Sequence, residues 1–175
     1  LDAAHVLGIT RHVYTSSHHV VGQYEQATFD STESSYAPDG HYALGKAFGE
    51  IAYRSFALRH GWKVLVIRVG NAAPKVVDAR ALRIWVSARD LADLVELGLT
   101  SPDVTYDIVY GVSNTKRPLF DDRPARQLGF APRDWAEDHL AETFLGDEEM
   151  PEALGGRYVG GAYAAAAPTR SGGPS

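Results

Sequence analysis

Residues 62–69 read Trp62-Lys63-Val64-Leu65-Val66-Ile67-Arg68-Val69, and this octapeptide decides the fold class. The stretch is rich in β-branched residues and nearly continuous in its apolar character, so both of its faces are apolar. A strand on the edge of a solvated antiparallel sheet shows polar residues at every second position; a strand buried on both faces does not. The run is eight residues long and bounded by Gly61 and Gly70, which suits a central strand of a parallel sheet better than a helix.

The neighbours of this strand support an alternation of strands and helices. Upstream, Phe48, Ile51, Ala52 and Phe56 recur at helical spacing in a run opened by Asp39-Gly40 and closed by Gly61 after Arg59 and His60. Glu25 to Asp39 is polar and loop-like. Ile9 to Ser17 reads as a strand entering a polar turn, and Leu1 to Gly8 as the end of a helix closed by glycine. Downstream, Gly70-Asn71-Ala72-Ala73-Pro74 breaks the chain and Ile84-Trp85-Val86 is briefly extended. Ser87 is placed to cap a helix, with Asp90 completing a capping box, and the helix runs to Pro102. Thr105 to Val112 is a further strand, and Asp121 to Leu128 a short helix ended by Gly129. The pattern predicts an α/β fold, the C-terminal portion of a doubly wound, mostly parallel sheet with a small substrate-binding region. Residues 1–150 form its body, and 151–175, rich in Gly, Ala, Pro and Ser, a mobile tail.

Composition narrows the function. The chain has 175 residues, enough for one domain with a core, and a formal net charge of −5 with no basic stripe, which disfavours nucleic-acid binding. No apolar stretch reaches the roughly 18 residues of a spanning helix. Cysteine is absent, so thiol chemistry is excluded and a cytoplasmic location is expected. The seven histidines show no metal-ligating spacing such as H-E-x-x-H, so no metal is expected.

Ligands of doubly wound folds gather at the carboxyl ends of the strands. Ser16-Ser17 and Gly70-Asn71 lie at two such ends. Tyr42-Ala43-Leu44-Gly45-Lys46 opens the first long helix, and residues four apart share a helix face. A neighbouring ammonium favours the phenolate form of a tyrosine, which suits Tyr42 to base catalysis. A Tyr–Lys pair is common on helices, and a Ser-Ser pair is ordinary in turns; it is the set of Ser17, Tyr42 and Lys46 that points to chemistry. His18 and His19 adjoin, so in extended chain only one of them faces a given site. Arg68 reads as one half of a structural ion pair, and Trp85 as core or pocket wall.

Together, Val13 to Gly22, Tyr42-x-x-x-Lys46 and Arg68-Val69-Gly70-Asn71 resemble the extended short-chain dehydrogenases/reductases, the NAD-dependent epimerase/dehydratase family. Within it the resemblance is greatest to uronate dehydrogenases, carried by Ser17-His18-His19-Val20-Val21-Gly22, Tyr42 to Glu50, Trp85-Val86-Ser87 and Tyr110-Gly111-Val112-Ser113. The resemblance implies an oxidoreductase acting on a sugar or sugar acid with NAD, NADP being the alternative. It implies Tyr42 as general base, Lys46 as holder of the nicotinamide ribose, Ser17 as hydrogen-bond partner of the reacting oxygen, and Val69 beside the cofactor. His18, His19 and Asn71 would line the sugar pocket, and Arg80 would grip a substrate carboxylate, for which a guanidinium fork is suited; its alternative is a solvated charge. A homodimer through the Tyr42 to His60 helix is a further implication. His18 stands where asparagine is expected and Asn71 where serine is, which leaves the substrate open and makes a sugar epimerase or dehydratase the rival reading.

A dinucleotide site also needs a glycine-rich turn between its first strand and helix, and no G-x-G-x-x-G occurs in the 175 residues. The expectation is a chain without the first half of the Rossmann unit, which alone binds NAD weakly or not at all. A non-catalytic binding protein of the same fold is the third reading.

Overall fold

A computed structural model describes residues 1–150 and 156–165. After a short helix α1 (Asp2–Val6) come β1 (Arg11–Ser17), a 3-10 turn (His18–Val21), α2 (His41–His60) and β2 (Lys63–Val69). Then follow β3 (Val76–Asp78), α3 (Ala79–Ile84), α4 (Ala88–Thr100), β4 (Tyr106–Gly111) and α5 (Arg123–Gln127), with β5 (Leu140–Leu145) and α6 (Ala162–Ala165) closing the described chain. Strands β1, β2 and β4 form a parallel sheet in that order.

The period-two geometry of a strand explains why Val64 to Ile67 is apolar throughout. Val64 and Val66 point to one face, where they join Trp62, Tyr53 and Phe56 beneath α2. Leu65 and Ile67 point to the other, against Leu94, Val104 and Val109 beneath α4. All four are completely buried, and each contributes roughly 1.5–3 kcal/mol by leaving water. Helix α4 comes so close to the sheet that a Cβ on Gly98 would lie 2.5 Å from Val13 Cγ2 and 2.9 Å from Leu65 Cβ. Helix α2 ends where Gly61 turns left-handed at φ 67°, the conformation glycine adopts without strain.

Two readings are corrected locally. Ser87 does cap α4, its side chain accepting from the Asp90 N–H at 3.0 Å. Asp90, however, does not complete a capping box: it is fully buried and accepts from Ser113 Oγ and the Arg133 N–H, while the Ser87 N–H goes to Ser113 Oγ. Ile84 is the last residue of α3, not part of an extended stretch; Trp85 bridges Asn71 beyond it. The two-stranded sheet of β3 and β5 has no counterpart in the sequence reading, β3 being too short to show a period.

The expected mobile tail also changes. Residues 156–165 return to the body: Val159 is fully buried, the Gly160 N–H donates to the Gly22 carbonyl at 2.8 Å and the Val159 N–H to Tyr24 at 2.9 Å. The rest of that segment, 151–155 and 166–175, lies outside the described residues. No helix among the described residues is long and apolar enough to cross a membrane.

Candidate active site

The parallel register sets Ser17 beside Val69 and Val69 beside Gly111, so the three strands end level. Ser17 is buried and begins the 3-10 turn by accepting from the His19 N–H at 3.3 Å. That turn changes the histidine geometry expected of an extended chain. His18 and His19 do not point oppositely; their ring centroids lie 4.2 Å apart.

Their environments nevertheless differ. His18 is 4% exposed. Its Nδ1 lies 3.0 Å from the Val69 carbonyl and its Nε2 3.2 Å from Arg80 Nη2. A carbonyl can only accept and a guanidinium only donate, so the ring is neutral with its proton on Nδ1. Burial, then the nearby His19 and Arg80, lowers the His18 pKa to about 3 against the opposing pull of the Val69 carbonyl. His19 instead pairs through Nδ1 with Asp39 Oδ2 at 2.5 Å.

Helix α2 presents the other half of the site. Tyr42 and Lys46 share its face, with Lys46 Nζ 5.6 Å from the Tyr42 ring centroid and 5.5 Å from that of Tyr14. Lys46 Nζ donates to the Thr15 carbonyl at 2.7 Å, which ties the helix to the strand ending in Ser17. A cavity of about 470 Å³ opens here, lined by His19, Asp39, Gly40, His41, Tyr42 and Tyr163. Ser17, Lys46, His18, Asn71 and Arg80 do not line that cavity, and Arg80 lines a separate one with Gln26, Ala79 and Arg83. Asn71 turns its side-chain oxygen to the Ala73 N–H at 3.0 Å. Arg80 is no solvated charge: its Nη2 donates to the Val159 carbonyl at 2.8 Å as well as to His18, its Nε is buried without a hydrogen-bond partner among the described residues, and burial lowers its pKa despite Asp78 and Asp39.

Asp39 and Tyr163 escaped the sequence reading. Asp39 looked like the start of a helix, and Tyr163 fell in the expected tail. Glu50 escaped it as well. It is fully buried and receives Ser16 Oγ, Tyr36 Oη and two guanidinium nitrogens of Arg68, so the ion pair expected of Arg68 exists. Burial, followed by the Glu50 charge, pushes the Tyr36 phenol up to about 12.

A level-ended parallel sheet with α2 and α4 packed on its two faces is a Rossmann-like fold. Residues 1–75 match the model of the NAD dependent epimerase/dehydratase family. The chain is 34% identical over 167 residues to the uronate dehydrogenase of Pseudomonas syringae pv. tomato, covering 95% of this chain and 61% of that protein. The crystal structure of Agrobacterium tumefaciens uronate dehydrogenase, a tyrosine-to-alanine mutant complexed with NAD, superposes with a TM-score of 0.83 at 28% identity, over 93% of this chain and 62% of that one. That of the Chromohalobacter salexigens glucuronic acid dehydrogenase gives 0.80 at 31% identity, over 95% and 63%. The chain thus spans about three fifths of the length of the relatives it matches.

Proposed function

We propose that the native polypeptide is an NAD-dependent oxidoreductase of the uronate dehydrogenase kind, oxidising a sugar or sugar acid at Ser17, Tyr42 and Lys46. The observation that supports this most is the placement of Lys46, bonded to the Thr15 carbonyl and set beside the Tyr42 ring. It couples the helix pair to the strand that ends in Ser17.

NAD fits the groups on view at its nicotinamide end. Lys46 uses one of its three N–H donors on Thr15 and keeps two for ribose hydroxyls; with Tyr42 and Val69 it would hold the cofactor, which when bound supplies a hydride acceptor. The Tyr42 oxygen, exposed and without a hydrogen bond to the described residues, takes the proton of the sugar hydroxyl being oxidised. The buried Ser17 hydroxyl bonds the same oxygen and orients it. Lys46 keeps a positive charge beside the phenol as the proton moves. His18, His19 and Asn71 surround the sugar, and Arg80 supplies the guanidinium for its carboxylate. With a uronate, loss of hydride and proton from the ring hydroxyl yields an aldaric acid lactone. Residues 1–150 carry this chemistry, and Leu44, Phe48 and Ile51, exposed along α2, suit that helix to pairing with a second copy.

The test is a sugar-acid screen on the native polypeptide, followed at the NADH absorbance band. Net NADH with a free uronate is the expected result. Conversion of a nucleotide sugar without net NADH would establish the epimerase reading, which Asn71 favours. No conversion of any sugar would leave a binding protein.

A further inference from the structure

We propose that Asp39 is a positioning residue of this site: it fixes His19 with its proton on Nδ1, so that the bare Nε2 accepts a hydrogen bond from a substrate hydroxyl. Only the identity of the ligand, a sugar acid, rests on the function proposed above; the arrangement of Asp39 and His19 stands on the geometry.

Asp39 is held as few surface aspartates are. Its side chain is 4% exposed, and a Cβ added to Gly22 or Gly160 would lie 2.0 or 1.9 Å from its Oδ2. The two glycines leave room for this carboxylate and for nothing larger. Although Asp39 precedes α2, it does not cap the helix; Gly40 is the N-cap, with no side-chain hydrogen bond. Burying a carboxylate is unfavourable unless it is hydrogen-bonded, and the hydrogen-bonding partner of this one is His19: Oδ2 meets Nδ1 at 2.5 Å while the Asp39 N–H meets the His19 carbonyl at 3.3 Å.

The consequence is chemical. An ionised carboxylate can only accept, so Nδ1 must donate, and in the neutral ring Nε2 is then an acceptor. No described residue engages Nε2, and His19 lines the cavity with Tyr42. The ring is also held by Tyr163, edge-on at 5.1 Å, and by His18, so it presents that nitrogen in one direction. An acceptor there selects a hydroxyl, which donates, and rejects a carboxylate or carbonyl oxygen, which cannot. A sugar acid is therefore oriented with a ring hydroxyl on His19 and its carboxylate elsewhere, toward Arg80.

The experiment is nitrogen NMR of the imidazole rings in the native polypeptide, with His19→Asn to assign the resonances. Expected are a protonated Nδ1 and a bare Nε2 for His19, and a shift of Nε2 on adding glucuronate. Asp39→Ala should release the ring into mixed tautomers and raise KM for the uronate roughly tenfold, the equivalent of one hydrogen bond, with kcat far less affected than by Tyr42→Phe. A proton on Nε2 in the unmutated protein, an unchanged tautomer in Asp39→Ala, or an Nε2 indifferent to glucuronate would overturn the proposal. If Asp39→Ala does not fold, the unmutated spectrum still decides. If no sugar acid is oxidised but the tautomer is as stated and glucuronate moves Nε2, the function falls and the Asp39 role stands.

Discussion

Glu50 is where a single substitution should reveal most about how this site is supported. The carboxylate is fully buried between α2 and the sheet, and it receives two bonds from Arg68 at 2.9 and 3.1 Å together with one each from Ser16 and Tyr36. Glu50→Ala leaves the Arg68 guanidinium buried with one other side-chain hydrogen bond, to Tyr110 Oη at 3.2 Å. An uncompensated buried charge costs about 3–5 kcal/mol. At about 2–4 °C per kcal/mol for a chain of this size, Tm should fall by roughly 6–20 °C. A second variant separates the charge from the cavity: Glu50→Leu with Arg68→Met removes both partners and fills their space, and such replacements are often neutral or stabilising. Thermal unfolding by circular dichroism measures both. A Glu50→Ala loss below about 1 kcal/mol, or a double variant as unstable as the single one, would falsify the claim that Glu50 serves to neutralise Arg68.

Other outcomes follow from the same geometry. Tyr42→Phe should reduce turnover of the native polypeptide by at least about 10²-fold while NAD binding persists; near-normal turnover would refute base catalysis by Tyr42. The 175 residues, which contain no G-x-G-x-x-G, should bind NAD weakly or not at all in calorimetric titration, and micromolar binding would contradict this. His18 has a folded pKa of about 3 against an ordinary 6.5, so between those values the unfolded chain binds the proton that the folded one refuses. Its share of stability is complete above pH 6.5 and lost as pH falls toward 3, at up to about 1.4 kcal/mol per pH unit; His18→Asn should flatten the slope of Tm against pH between 4 and 6.5, and an unchanged slope would exclude His18 as its source. Gly160→Ala drives a Cβ to within 1.9 Å of Asp39 Oδ2 and should cost about 1–3 kcal/mol by overpacking, read as a lower Tm; an unaltered Tm would mean that the returning segment yields freely.

The sheet was legible because its information is local. Val64 to Ile67 announce two buried faces by composition alone, and Gly61 marks the end of α2 by the conformation that only its neighbours in sequence impose. The Tyr42–Lys46 pair was legible for a similar reason, since one helical turn fixes their separation. Readings failed where a side chain had a choice of partners distant in sequence. Asp90 could have returned to its own helix terminus, and instead binds Ser113 and the backbone of Arg133. His18 and His19 were assigned opposite directions on the assumption of extended chain, which holds only as far as Ser17.

The same distinction explains why Asp39, Gly22 and Gly160 carried no signal. Each is an ordinary turn residue in its own segment, and a glycine in a turn is normally read as conformational freedom. Gly22 and Gly160 need no positive φ; what they provide is absence of volume against a carboxylate from another part of the chain. That requirement becomes visible only when residues 156–165 fold back and place Gly160 beside Gly22. The segment that composition marks as a tail therefore completes the wall of the cavity, through Tyr163 on one side and Gly160 behind Asp39 on the other. On the role proposed for His19, substrate selection and the packing of this segment are physically coupled: whatever displaces Gly160 should loosen Asp39, free the His19 ring, and alter the acceptor presented beside Tyr42.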